Sequence, residues 1–150
     1  MDFLGKGRRG NPAAAGAQRQ GAAPASAPPA PTTKQAGDAA EARALAHLQA
    51  AGLRLAARNY RTPGRGGGEI DLVMRDRDGT LVFVEVRQRA SRTHGGAGAS
   101  IGAAKQRRIV FAARHYLLRL AAPPPCRFDV VLVEQGTVTW LQAAFDAQGW

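Results

Sequence analysis

Two runs, EIDLVMR at 69–75 and TLVFVEVRQR at 80–89, alternate apolar and polar residues and are separated by DRDG. A period of two belongs to β-strands whose two faces meet different environments. DRDG carries turn chemistry, with Gly79 suited to positive φ, so the runs predict an antiparallel hairpin. With the turn centred on Asp78, Val73 falls opposite Phe83 and Asp71 opposite Glu85. Directly opposed residues have Cβ atoms about 4.5–5.5 Å apart, and like charges there repel. Three arrangements relieve that repulsion: a shared proton, a salt-bridged arginine, or a divalent cation taking an oxygen from each. Arg87, two residues beyond Glu85, supplies the arginine of the second. The glycines of GRGGG at 64–68 favour the third, because they keep side chains clear of this face and let a phosphate backbone approach.

The remaining pattern builds an α/β domain around that hairpin. From Lys6 to Ala44 there is no Leu, Ile, Val, Phe, Tyr or Trp. Residues 1–34 are therefore expected to be a disordered basic tail rich in Ala, Pro and Gly, and residues 35–150 the folded domain. KQAGDAAEARALAHLQAAG predicts a first helix with Leu45 and Leu48 inward and Gly52 as its C-terminal cap. LRLAARNYR predicts a strand. GGAGASIGAAKQRRIVFAARHYLLRL predicts a second helix with Ser100 as N-cap and Ile109, Ala112, Ala113, Tyr116 and Leu120 inward. RFDVVLVE has the continuous apolar character of a strand buried on both faces, and TVTWL predicts a last strand, with Trp140 and Phe145 closing the core. A strand, helix, strand unit implies parallel pairing. The expectation is a mixed sheet of about five strands with a helix on each face.

Charge and motif narrow the function classes. Lys and Arg number 21 against 11 Asp and Glu, a net charge of +10, and 18 of the cations are arginine. That excess favours a polyanionic partner, nucleic acid first, or reflects a general preference for arginine over lysine on solvated surface. A single cysteine, Cys126, excludes an internal disulfide and fits a reducing, cytoplasmic compartment. No segment reaches the roughly 20 apolar residues that span a bilayer. His47, His94 and His115 lack zinc-ligand spacing. Glu41 lies four and seven residues before Leu45 and Leu48, on the inward stripe of the first helix. The spacing from Asp38 to Glu41 also fits a capping box with Asp38 as the cap. Lys105 lies near the inward edge of the second helix.

The segments GGGEIDLVMRD…LVFVEVRQR, GGAGASIGAAKQRRIVFAARHYL and RFDVVLV resemble the YraN-type family of small bacterial proteins over about residues 36–146. By fold that family falls in the PD-(D/E)XK nuclease superfamily, with restriction endonucleases and Holliday-junction resolvases. The resemblance implies a restriction endonuclease-like three-layer domain and Mg- or Mn-dependent hydrolysis of phosphodiester bonds, with DNA favoured over RNA. It implies Asp71, Glu85 and Glu41 as the acids around the metal, with Arg87 standing where the family pattern has lysine. Guanidinium holds its proton, so Arg87 can stabilise a phosphate and cannot act as a base. Lys105 becomes the amine that replaces the missing lysine. Arg61, Arg65, Arg89, Arg107 and Arg108 are the expected nucleic-acid contacts. Many superfamily nucleases dimerise, which makes a homodimer an expectation without an apolar seam to mark it. Two other readings stand beside the nuclease: a nucleic-acid-binding module without catalysis, and an interaction domain whose acids are structural.

Overall fold

The computed structural model describes residues 27–89 and 101–148. Residues 31–150 group as one compact unit. Its elements are α1 (Thr33–Ala50), β1 (Arg54–Arg61), β2 (Glu69–Arg75), β3 (Leu81–Arg89), α2 (Ala103–Leu117), β4 (Cys126–Glu134) and β5 (Thr137–Phe145). The five strands form one sheet in sequence order, with β3 and β4 parallel and every other neighbour antiparallel. One apolar cluster lies between the sheet and α2, around Phe83, Ile109 and Phe128. Another lies between the sheet and α1, around Leu48, Leu72 and Val131. The three layers are those of a restriction endonuclease-like α/β domain.

The hairpin forms in the expected register. Arg75 pairs with Leu81, Val73 with Phe83 and Leu72 with Val84. Gly79 takes φ 91°, and Asp78 fixes the turn by accepting the Thr80 N–H at 2.9 Å. The C-terminus of α1 also matches: Gly52 has φ 101°, and the Leu53 N–H reaches back to the Leu48 carbonyl at 3.0 Å.

Both helix starts differ from expectation. The α1 cap is Thr32, whose side chain accepts the Gln35 N–H while the Gln35 side chain accepts the Thr32 N–H. Helix α1 therefore begins within the last two residues expected for the tail. Asp38 is not a cap; it lies inside the helix, exposed and ion-paired with Lys34 at 2.8 Å. Threonine is a somewhat weaker cap than aspartate, but Thr32 with Gln35 makes both bonds of the reciprocal pair, and starting there adds six residues to the helix. The cap of α2 is Gly102 without a side-chain bond, and Ser100 falls outside the described residues. The last strand runs past Leu141 to Phe145, which stacks on Phe128 with ring centroids 5.0 Å apart.

The loop from Arg61 to Glu69 is built for contact with α2. The Gly68 N–H donates to Thr62 Oγ1 at 2.8 Å, and the Thr62 N–H donates to the Gly68 carbonyl at 3.1 Å. A Cβ on Gly68 would sit 1.9 Å from the Arg108 carbonyl oxygen, and one on Gly67 would sit 2.2 Å from Thr62 Oγ1. Gly64 and Gly66 hold positive φ. The glycines thus answer to packing and backbone conformation, which revises their expected role of clearing a face for phosphate. Gly68→Ala is expected to push the loop away from α2 and cost about 1–3 kcal/mol of stability, measured as a lowered urea midpoint. An unchanged midpoint would contradict this packing.

Candidate active site

Asp71 sits where the alternation of faces along β2 breaks. Strict alternation would place Ile70 and Leu72 on one face. Instead Ile70 and Val73 belong to the cluster beneath α2, and Leu72 and Met74 to the cluster beneath α1. The register of β1 with β2, Arg58 to Leu72 and Tyr60 to Ile70, puts Asn59 beside Asp71, and Asn59 has φ 48°. Asparagine tolerates this left-handed conformation better than most residues. Its turn rotates the paired strands, so the expected common face of Glu69, Asp71 and Val73 does not persist. Asp71 Oδ2 accepts the Val86 N–H at 2.7 Å, just past the point where the β2–β3 ladder ends at Leu72 and Val84. A carboxylate thus satisfies a main-chain donor that the ladder leaves unpaired.

Continuing the hairpin register by one step brings Glu85 opposite Asp71. Glu85 is buried at 8% exposure on the α2 side of β3. Lys105 Nζ, from the first turns of α2, lies 3.2 Å from Glu85 Oε2. That contact is an ion pair outside hydrogen-bond angles, so Oε2, buried, accepts no hydrogen bond. Burial first, and then the charge of Asp71, pushes the Glu85 carboxyl up to about 7, against the opposing pull of Lys105. Asp71 is also raised, chiefly by burial, with the Val86 N–H and Lys105 working the other way. Glu41 is raised by burial and by Asp71, opposed by Asn59 and by Arg58 at 3.9 Å. The charge of Asp71 on β2 is therefore felt both by Glu41 on α1 and by Glu85 on β3. Among the described residues, no three His, Cys, Asp or Glu side chains are grouped tightly enough to hold a metal ion together.

A second buried acid provides the contrast. Asp129 on β4 has no exposed surface. It accepts from Arg127 Nε at 3.1 and 3.2 Å, from Trp140 Nε1 at 2.9 Å and from the Ala143 N–H at 2.9 Å. Ala143 has φ 47° at the irregularity where β5 slips against β4, and Arg127 also binds Asp76 at 2.9 Å. Sequence reasoning passed over Asp129, although an acid inside RFDVVLV carries the same signal as Asp71 and Glu85. Its oxygens are all engaged, which makes it a structural anchor for the β5 bulge. Glu85 has an oxygen to spare.

The arginines disperse. Arg61 is paired with Glu69 at 2.9 Å and Arg89 with Glu134 at 3.8 Å, both ion pairs within the sheet's own surface. Arg65 is exposed at the loop tip. Arg107 and Arg108 line a cavity on the outer side of α2. Arg87 is half-buried on the same strand as Glu85. No helix among the described residues is long and apolar enough to cross a membrane.

The profile of the uncharacterised protein family UPF0102 matches residues 40–133, a span that contains Glu41, Asp71, Glu85 and Lys105. A UPF0102 protein of Paracidovorax citrulli is 75% identical over 130 residues, covering 87% of this chain and 96% of its own. One of Albidiferax ferrireducens is 75% identical over 116 residues, covering 77% and 91%. One of Cupriavidus taiwanensis is 63% identical over 117 residues, covering 78% and 87%.

Glu85 sets an expected pH dependence. A carboxyl whose folded value lies above its ordinary 4.5 favours the fold fully below pH 4.5 and loses that contribution as pH rises to about 7. In EDTA the melting temperature should fall across that window relative to Glu85→Gln, which should melt above the unaltered protein at pH 8. Asp129→Asn should instead cost about 1–3 kcal/mol, because an amide –NH2 would face donors where a buried carboxylate oxygen now accepts, while Arg127 keeps its pair with Asp76. Thermal melts of the three proteins check both statements, and a Glu85→Gln variant less stable at pH 8 would refute the first.

Proposed function

The chain belongs to the uncharacterised protein family UPF0102, and from the site that its matched segment contains we propose a divalent-metal-dependent nuclease that hydrolyses phosphodiester bonds, with DNA as the favoured substrate. One observation carries the reading: two carboxylates, Asp71 and Glu85, are buried side by side, and Glu85 Oε2 has an ion pair with the single ammonium of Lys105 and no hydrogen bond, whereas Asp129 is fully hydrogen-bonded. One ammonium offsets one of two buried carboxylates, so a shared proton or a further cation is needed to balance the pair. The donor set suits Mg or Mn, which bind through one or two carboxylates and keep several waters, so a third acid in the cluster is not required.

In this reading Asp71 and Glu85 hold the ion, aided by the Val86 carbonyl, with Glu41 orienting a water at the rim. When bound, the ion offsets the charge of both carboxylates and the phosphate and makes water a better nucleophile. The Val86 N–H fixes one Asp71 oxygen and thereby aims the other. Lys105 brings an ammonium against Glu85 and takes the lysine's place in stabilising charge that builds on the phosphate. Arg87 retains its proton and contributes charge alone. Arg65, Arg107 and Arg108 provide phosphate contacts, with Arg61 and Arg89 at the margins through their existing ion pairs.

A second reading, a nucleic-acid-binding module without catalysis, is favoured by arginine at position 87. Plasmid, flapped and four-way DNA incubated with Mg or Mn separate the two. The nuclease is expected to cut in a metal-dependent way, to lose at least about 10²-fold on Lys105→Ala, and to lose all cleavage on Asp71→Asn. Cleavage that persists in Asp71→Asn refutes the assignment. Salt-dependent binding without cleavage, with a log–log slope of roughly −0.9 per phosphate contact, supports the module instead.

A further inference from the structure

The outer face of α2 carries a feature that the acid cluster does not use. Among the described residues only Leu55, Phe111 and Leu118 are large apolar side chains with substantial exposure, and two of these lie on this helix and its C-cap. Phe111 is 54% exposed and Leu118 84%. Arg107, Phe111, Arg114 and Leu118 are spaced by four, three and four residues, so they form one outward stripe. Phe111, Arg107, Arg108 and Arg114 line a cavity of about 330 Å³ with Gly66 at the tip of the glycine loop. A neighbouring cavity of about 340 Å³ shares Gly66 and runs to Arg61 and Glu69. Glu69 stands two residues before Asp71, so the second cavity reaches the strand that carries one of the acids.

A ring left in water among the guanidinium groups of Arg107, Arg108 and Arg114 suits a flat π-system tied to a negative charge. Guanidinium pairs with phosphate, and an aromatic face stacks on a base whatever its identity. A paired base has both faces covered by its neighbours in the duplex, so the base received here has to be unpaired. We infer that Phe111 is a stacking platform for an unpaired nucleobase flanking the phosphate at Asp71 and Glu85, held by Arg107, Arg108 and Arg114. The assignment makes strands with an exposed base the substrate class, and it rests on the nucleic-acid reading above. Phe111 is a binding residue here and takes no part in the bond-breaking step.

The test is fluorescence anisotropy with the full chain in EDTA, so that no cleavage intervenes. The probes are a labelled oligothymidylate, the same-length abasic strand and a blunt duplex. Stacking of one base is worth about 1–3 kcal/mol, so Phe111→Ala should weaken oligothymidylate binding roughly 5- to 150-fold and leave the abasic strand and duplex unchanged. Phe111→Tyr should restore it. Equal losses on the abasic strand, or no loss on oligothymidylate, overturn the platform, as does sedimentation showing a dimer that Phe111→Ala dissolves. Cleavage of four-way or flapped DNA with Mg or Mn, measured separately, distinguishes the two failures. A protein that binds and stacks without cutting removes the nuclease and keeps the platform. One that cuts with Phe111→Ala binding unaltered does the reverse.

Discussion

The contact between Asp71 Oδ2 and the Val86 N–H governs the geometry of this domain's candidate site. It is made where β2 ceases to pair with β3, and it substitutes a side-chain acceptor for a missing main-chain one. Because the donor belongs to β3, the bond fixes Asp71 relative to the strand that carries Glu85. The two acids are held together by the sheet's own hydrogen bonding. Their proximity is therefore built in: burial raises both carboxyls, and the charge of Asp71 raises Glu85 further.

The comparison between Glu85 and Asp129 gives the site its meaning. Both are acids buried in strands next to each other in the sheet. Asp129 is surrounded by donors from a guanidinium, an indole and a main-chain amide, and it holds a bulge in place. Glu85 has one ammonium beside it and an oxygen without a hydrogen-bonding partner. The same fold thus surrounds one buried acid with hydrogen-bond donors and meets the other with a single ammonium.

Much of this was legible in the sequence because it depends on local rules. The alternation of EIDLVMR and TLVFVEVRQR with Gly79 between them determines the register, and the register determines that Asp71 meets Glu85. The helices were legible from their apolar stripes, and Lys105 from its place near the inward edge of the second. The rotation at Asn59 was not, because a left-handed residue inside a strand leaves no periodic trace. Nor was the purpose of the glycines, since a close approach between Gly68 and the Arg108 carbonyl is a tertiary contact. Helix starts were misjudged where several capping residues compete: Thr32 with Gln35 prevails over Asp38. Asp129 was overlooked among apolar neighbours although its signal equalled that of the hairpin acids.

The bare Gly68 lets loop and helix meet main chain to main chain, with no pliable side chain between them. Lys105 and Phe111 flank that junction on one helix of 15 residues. Any tilt of the helix is thereby transmitted to the loop and to both side chains at once, as in a lever with a hard fulcrum. The placing of the Lys105 ammonium and of the Phe111 ring becomes one mechanical variable.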